Sequence, residues 1–369
     1  MAVNPLFRPF DLAGLALPNR IVMAPMTRSF SPGGVPGADV AAYYARRAAG
    51  GTGLIVTEGT YVGHPTAGTS HRVPRFYGDD ALAGWQRVAD AVHANGGRIV
   101  PQLWHVGAVR RPGAGPVEDA PSVGPSGLGL DGTPLPGPGA ELTVADIDAI
   151  VAAFAEAARA AQRVGFDGVE LHGAHGYLID QFLWERTNRR TDAYGGDPVA
   201  RTRFAAEIVA AVRDAVGPDF PVIFRMSQWK SGAYDAKLAD DPGTLESVLT
   251  PLVTAGADAI HASTRRYWQP EFEGSDLNLA GWVKKLTGRP VITVGSVGLD
   301  VVFTDSLSGQ GQPSRTELGP LLERLERDEF DLVAIGRTLL ADPEWPNKVR
   351  EGRYEDVAAY DNGILKQLV

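Results

Sequence analysis

Short runs rich in β-branched and aliphatic residues alternate along the chain with longer alanine-rich stretches whose apolar positions recur at helical spacing. That alternation is the pattern of a parallel sheet flanked by helices. Eight runs are predicted as strands, at 21–25, 54–58, 98–103, 168–172, 222–226, 259–263, 291–294 and 332–335. Helical stretches fall between them at 79–95, 143–164, 198–216, 242–255 and 314–327. Thr143 with Asp146 reads as an N-terminal cap for the second of these, with Asp a weaker partner there than Glu. Eight strand and helix units suit a closed (β/α)8 barrel, the TIM-barrel class. An open doubly wound sheet usually has about five or six strands and a glycine-rich nucleotide loop after the first, and no such loop follows residues 21–25.

The strongest break in the pattern is 105–142, where 16 of 38 positions are Gly or Pro, a composition that sustains neither a helix nor a central strand. It is expected to leave the third strand as a long loop walling the pocket, the alternative being a disordered surface insertion. Residues 265–277 and 300–316 form smaller excursions, and within the latter 303–315 matches no motif. With no internal repeat beyond the strand–helix alternation and no linker, 1–369 is predicted as one domain.

Composition narrows the function classes. Hydrophobic residues are 44% and charged residues 21%, which is the balance of a globular chain and excludes a disordered one. The formal charge of -9 repels phosphate backbones and anionic membrane surfaces, so neither nucleic acid nor membrane is an expected partner. The absence of cysteine removes disulfides, thiolate zinc sites, iron–sulfur clusters and redox thiols, leaving redox chemistry to a bound cofactor. An acidic residue and prolines interrupt the N-terminal stretch where an export signal needs an unbroken apolar run, and a cytoplasmic location is the default expectation.

The chemistry gathers where the predicted strands end. After the fourth strand, GVELHGAHGYLIDQFL sets His172 at the tip, His175 three residues on and Tyr177 two further. Two imidazoles can donate hydrogen bonds to one carbonyl or nitro oxygen, and a neutral tyrosine can give up a proton. The alternative is that these are ordinary hydrogen-bonded residues at a strand end. No third ligand accompanies the two histidines, so no metal is predicted. Barrels often hold a phosphate after strands seven and eight, where Gly295 and Ser296, then Gly336 and Arg337, follow the predicted strands.

At these residues the chain resembles the Old Yellow Enzyme family of FMN-dependent ene reductases, and the resemblance covers nearly its whole length. LPNRIVMAPMTR, GLIVTEGTYV, GRIVPQLWH, DGVELHGAHGYLIDQFL with NRRTDAYGG, FRMS, VGSVG and AIGRTLLADP occur in the family's order. The resemblance implies a (β/α)8 barrel with noncovalent FMN at its C-terminal mouth, reduced by NADPH or NADH and reoxidised by small activated alkenes: enones, maleimides and nitroalkenes. It implies that Thr27 bonds the flavin O4, that Pro25 and Met26 wall the flavin, and that the Gly59 backbone lies near O4. Gln102 would bond the pyrimidine edge, Arg225 would stabilise negative charge near N1 and C2=O, and Gly295, Ser296, Gly336 and Arg337 would hold the phosphate. His172 and His175 would bind the electron-withdrawing oxygen, Tyr177 would supply the α-proton, and Trp104 would limit substrate bulk. Tyr267 and Trp268 are expected as a lid.

Threonine stands at position 27, where some branches of the family carry cysteine, and His175 stands where other members have asparagine. The lack of cysteine excludes the branch with an iron–sulfur cluster, and the C-terminal tail matches no aromatic that relatives place over the site. Two rival classes remain. A barrel aldolase would need a Schiff-base lysine, for which Lys230 is the nearest candidate. A noncatalytic barrel would carry no prosthetic group. Monomer and homo-oligomer are equally compatible with the pattern.

Overall fold

The structure, a computed structural model, describes residues 4–111, 113–303, 305 and 313–369. Its chain begins with a hairpin of β1 (Phe10–Leu12) and β2 (Leu15–Leu17), joined through Ala13 and Gly14, whose φ of 51° and 88° give the two left-handed residues of a tight hairpin turn. Eight parallel strands follow: β3 (Ile21–Met23), β4 (Leu54–Tyr61), β5 (Arg98–Trp104), β6 (Val169–His175), β7 (Val222–Lys230), β8 (Ala259–Ser263), β9 (Val291–Val294) and β10 (Leu332–Ile335). Each pairs with its neighbour, and β10 pairs with both β9 and β3, so the sheet closes into the predicted barrel.

All eight predicted runs are strands of this barrel, and the last three have the predicted bounds. Four others run further at their C-terminal ends, to Tyr61, Trp104, His175 and Lys230. Two of these extensions pass register shifts, between Val56 and Gly59 and between Gly173 and His175. Their polar residues read as loop by pattern, yet they continue the wall of the barrel mouth.

The hairpin closes the opposite end. Leu12 and Leu17 are buried against Val22, Leu54, Val100, Ile223, Ala259, Ile292 and Leu332, which fill the lower barrel with the branched apolar side chains such interiors favour. Around the outside lie the helices, among them α1 (Ala38–Ala49), α2 (Asp79–His93), α3 (Val144–Arg163), α4 (Leu178–Leu183), α5 (Pro198–Val216), α6 (Pro242–Thr254) and α7 (Leu279–Thr287). At α3 the predicted cap is a complete capping box: Asp146 N–H donates to Thr143 Oγ1 (3.2 Å) and Thr143 N–H to Asp146 Oδ2 (2.9 Å). Asp197 and Asp241 cap α5 and α6, each just before a proline whose missing N–H costs nothing in the first turn. The predicted helix at 314–327 is shorter, Gly319–Glu326.

The 105–142 excursion does not take the expected place. Among the described residues none of it lines the main cavity. Arg110 gathers the carbonyls of Ala120, Gly68 and Val117, and Arg190 those of Pro125 (2.8 Å) and Leu142. Ala108 N–H donates to Gln181 on α4. These bonds fold the excursion against the 63–70 loop and α4, to one side of the mouth. Most of 303–315 lies outside the described residues.

Candidate active site

At the C-terminal end of the strands a cavity of about 410 Å³ opens. Thirteen predicted residues line it: Pro25, Met26 and Thr27 beyond β3; Gln102 and Trp104 on β5; His172 and His175 on β6, with Tyr177 following; Arg225 on β7; Gly295 and Ser296 after β9; Gly336 and Arg337 after β10. Their convergence follows from topology, since the ends of parallel strands in a closed barrel all face one mouth.

Three predicted residues lie elsewhere. Gly59 is not part of the wall; a Cβ there would come within 2.4 Å of the Trp104 ring, so glycine is what lets Trp104 pack against β4. Tyr267 and Trp268 form no lid. Asn278 Nδ2 donates to the Tyr267 carbonyl (2.6 Å) and Tyr267 N–H to Gly295 O (3.1 Å), drawing Tyr267 into the core, where Trp268 packs edge-on against it.

One side of the cavity is an aromatic corner. Tyr177 meets Trp104 edge-on with ring centres 4.7 Å apart and His172 at 5.0 Å, and His172 meets His175 at 5.1 Å. His175 holds a left-handed φ of 67°, a conformation costly outside glycine that here turns the chain into the corner. Below that turn, Gly176 N–H donates to Asp180 Oδ2 (2.7 Å) and Lys230 Nζ to Asp180 Oδ1 (2.8 Å), with both charged side chains fully buried. Lys230 also donates to the carbonyls of Ser227 and Gln228 and does not line the cavity, so it is spent on fixing the turn and is no Schiff-base candidate.

Burial, reinforced by the positive charge of Arg225, holds His172 and His175 well below the ordinary imidazole value, so both are neutral. Burial pushes Tyr177 up, keeping the phenol protonated. The His172 Nδ1 atom is buried without a hydrogen-bond partner. His175 Nε2 lies 2.8 Å from Ser263 Oγ, and its ring stacks on Trp229 at 4.4 Å.

The other side is cationic. Arg225 is buried, which lowers its guanidinium from the ordinary value against the opposing pull of Glu170, and its Nε has no partner. Arg337 donates from Nη2 to Ser296 Oγ (3.2 Å) and to the Val301 carbonyl, while its Nη1 is buried and unpartnered. Gly295 is required beside it: a Cβ there would meet Thr264 Oγ1 at 2.6 Å and the Thr264 carbonyl at 2.8 Å. Buried donors left unpaired cost about 1–3 kcal/mol each, so a ligand that accepts from Arg225 and Arg337 recovers that energy. The arrangement suits an elongated ligand with an anionic end at Arg337 and an electron-rich ring beside Arg225.

Sequence reasoning passed over Arg28, Trp229, Tyr234, Ser263 and Leu365, which also line the cavity. Trp229 and Ser263 sit at strand ends and were findable by the rule that found Arg225. Leu365 had no local signal, because Arg28 holds its segment by donating to the carbonyls of Ile364 (3.1 Å) and Gln367 (2.7 Å).

Residues 5–313 match the model of the NADH:flavin oxidoreductase / NADH oxidase family. The chain is 36% identical to an NADH oxidase of Thermoanaerobacter brockii, over 95% of this chain and 52% of that protein. It is 45% identical to 12-oxophytodienoate reductase 7 of Oryza sativa subsp. japonica, over 94% and 88%. The chain therefore spans about half the length of the first relative and nearly nine tenths of the second. Morphinone reductase in complex with tetrahydroNAD superposes with a TM-score of 0.79 at 32% identity, covering 98% of this chain and 93% of that one.

Proposed function

The chain belongs to the NADH:flavin oxidoreductase / NADH oxidase family, the family of Old Yellow Enzyme, and on that ground we propose that it is an FMN-dependent ene reductase using NADH or NADPH. The observation that carries this reading is the meeting in one cavity of two unpartnered buried guanidinium donors, on Arg225 and Arg337, with a corner of two neutral imidazoles and a protonated phenol. These residues fit FMN: Arg337 and Ser296, with the backbone of Gly295 and Gly336, would hold its phosphate, and Pro25, Met26, Thr27, Gln102 and Arg225 would line the place of its ring. When bound, FMN supplies the two-electron chemistry, accepting hydride from the nicotinamide nucleotide and returning it to the alkene.

The protein's share is to bind, orient and protonate. Arg225 provides fixed positive charge in a site screened from water, where it is worth more than in solution. His172 and His175 hold the oxygen of an electron-withdrawing group; being neutral, they donate hydrogen bonds without cost in charge separation. With that oxygen held, the β-carbon of the double bond is left electron-poor, and the Tyr177 phenol gives its proton to the α-carbon and regains one from water. Trp104, edge-on to Tyr177, restricts the bulk of what sits in the corner. Enones, maleimides and nitroalkenes present the required acceptor and planar double bond.

The test is anaerobic reduction of the FMN-loaded protein by NADH and by NADPH, followed by mixing with a panel of those alkenes. Flavin bleaching and alkene-dependent recovery of the yellow band are expected. Protein that takes up no FMN, or reduced protein reoxidised by oxygen and by none of the alkenes, would overturn the proposal.

A further inference from the structure

One layer below the cavity the barrel interior departs from the apolar filling of its lower end. Glu170, two residues before His172 and on the same face of β6, is fully buried. Gln102 Nε2 donates to its Oε1 (2.8 Å), and His261 Nδ1 lies 2.6 Å from its Oε2. Strand register carries the cluster around the barrel, pairing Gln102 with Glu170 and His172 with Arg225, which pairs in turn with His261. A buried carboxylate is expensive unless hydrogen-bonded and balanced by positive charge. Burial pushes the Glu170 carboxyl up, but His261, Arg225 and Gln102 together hold it below the ordinary value, so it is an anion.

Two consequences follow from elementary donor and acceptor counting. An ionised carboxylate only accepts, so one of the two N–H groups of the Gln102 amide is committed to Glu170; this fixes the sense of the amide, and its oxygen is the acceptor offered to the cavity that Gln102 lines. Burial keeps His261 neutral despite its acid partner; its proton is on Nδ1, and its buried Nε2 is a bare acceptor without a partner. Among the described residues no carboxylate lies within ion-pair distance of Arg225, so Glu170 acts on that guanidinium through space, partly offsetting the charge it presents to the cavity.

We propose that Glu170 is a positioning residue of the flavin site: it turns Gln102 to face the ring as a hydrogen-bond acceptor, and its charge counters Arg225 so that reduced flavin is held less tightly than Arg225 alone would hold it. This rests on the FMN reading above. On a pyrimidine edge the partner for an acceptor is the ring N3–H.

The experiment is a redox titration of the FMN-loaded protein and its Glu170→Gln variant, with 3-methyl-FMN uptake by the unaltered protein as the second measurement. Glu170→Gln keeps the shape and removes the charge. Its preference for reduced over oxidised FMN is expected to grow at least tenfold, a rise of about 30 mV in midpoint potential for a two-electron couple. The unaltered protein is expected to bind 3-methyl-FMN at least tenfold more weakly than FMN. A variant that binds FMN with an unchanged potential overturns the charge role. Equal affinity for FMN and 3-methyl-FMN overturns the orientation of Gln102, and remains decisive if the variant does not fold. Failure of the unaltered protein to bind FMN at all would instead remove the functional reading beneath.

Discussion

Tyr177 stays neutral because burial opposes its ionisation, and this fits it to donate a proton late in a reaction while resisting its loss to water. Tyr177→Phe removes the proton and little else, so alkene reduction is expected to slow by ~10²–10⁴ while flavin reduction by the nucleotide continues. Stopped-flow traces of the two half-reactions check this, and equal loss in both would refute the assignment. His172 offers a separate measurement. If His172 donates to the substrate oxygen as proposed, His172→Ala is expected to weaken phenol or enone binding by about 1–3 kcal/mol in ligand titrations. Both residues were legible from their spacing after a predicted strand. What gives them their character was not: the Ser263 contact of His175 spans 88 positions, and the Arg225 charge that suppresses both imidazoles comes from a different strand. Pairings across a barrel depend on shear and closure, which no local window contains.

Between elements, Glu58 joins β4 to the segment carrying Thr27, accepting from the N–H groups of Arg28 (2.9 Å) and Ser29 (3.0 Å). Burial pushes its carboxyl up to about 7, against an ordinary value of 4.5, despite those two bonds. Above pH 4.5 the unfolded chain has released this proton while the folded chain keeps it until about pH 7. The stability tied to that proton is therefore complete below pH 4.5 and is lost as pH rises through 7. At about 1.4 kcal/mol per unit the loss is on the order of 3 kcal/mol. Urea midpoints at pH 5 and pH 8 are expected to show the unaltered protein losing stability relative to Glu58→Gln; parallel behaviour would mean that Glu58 does not titrate in this window. Elements themselves were legible where periodicity ran long, as in α3 and α5. The hairpin at 10–17 was not, since three-residue strands leave no period, and α4 was absorbed into the histidine motif.

At the scale of the whole molecule, the eight-fold alternation predicted closure, and closure explains why thirteen residues drawn from six strand ends and the loops beyond them share one cavity. The misplacement of 105–142, 267 and 268 has a common cause: composition identifies a loop but says nothing of which carbonyls an arginine or asparagine will collect. A ligand that fills the cavity stabilises the fold by mass action. Free FMN at a hundred times its Kd is expected to add about 2.7 kcal/mol to the unfolding free energy, with a smaller gain at the same concentration for Arg337→Ala. Thermal melts with and without FMN measure both. Finally, the seam where β10 joins β3 pairs Val333 with Ile21, so the first barrel strand gains its second neighbour only once β10 has been made. With Pro25 following β3 and Arg337 following β10, a chain made only part of the way to residue 337 lacks part of the cavity that would grasp a prosthetic group. Capture by the finished cavity then waits for β10, and a chaperone would meet an open, sticky-edged sheet until that moment.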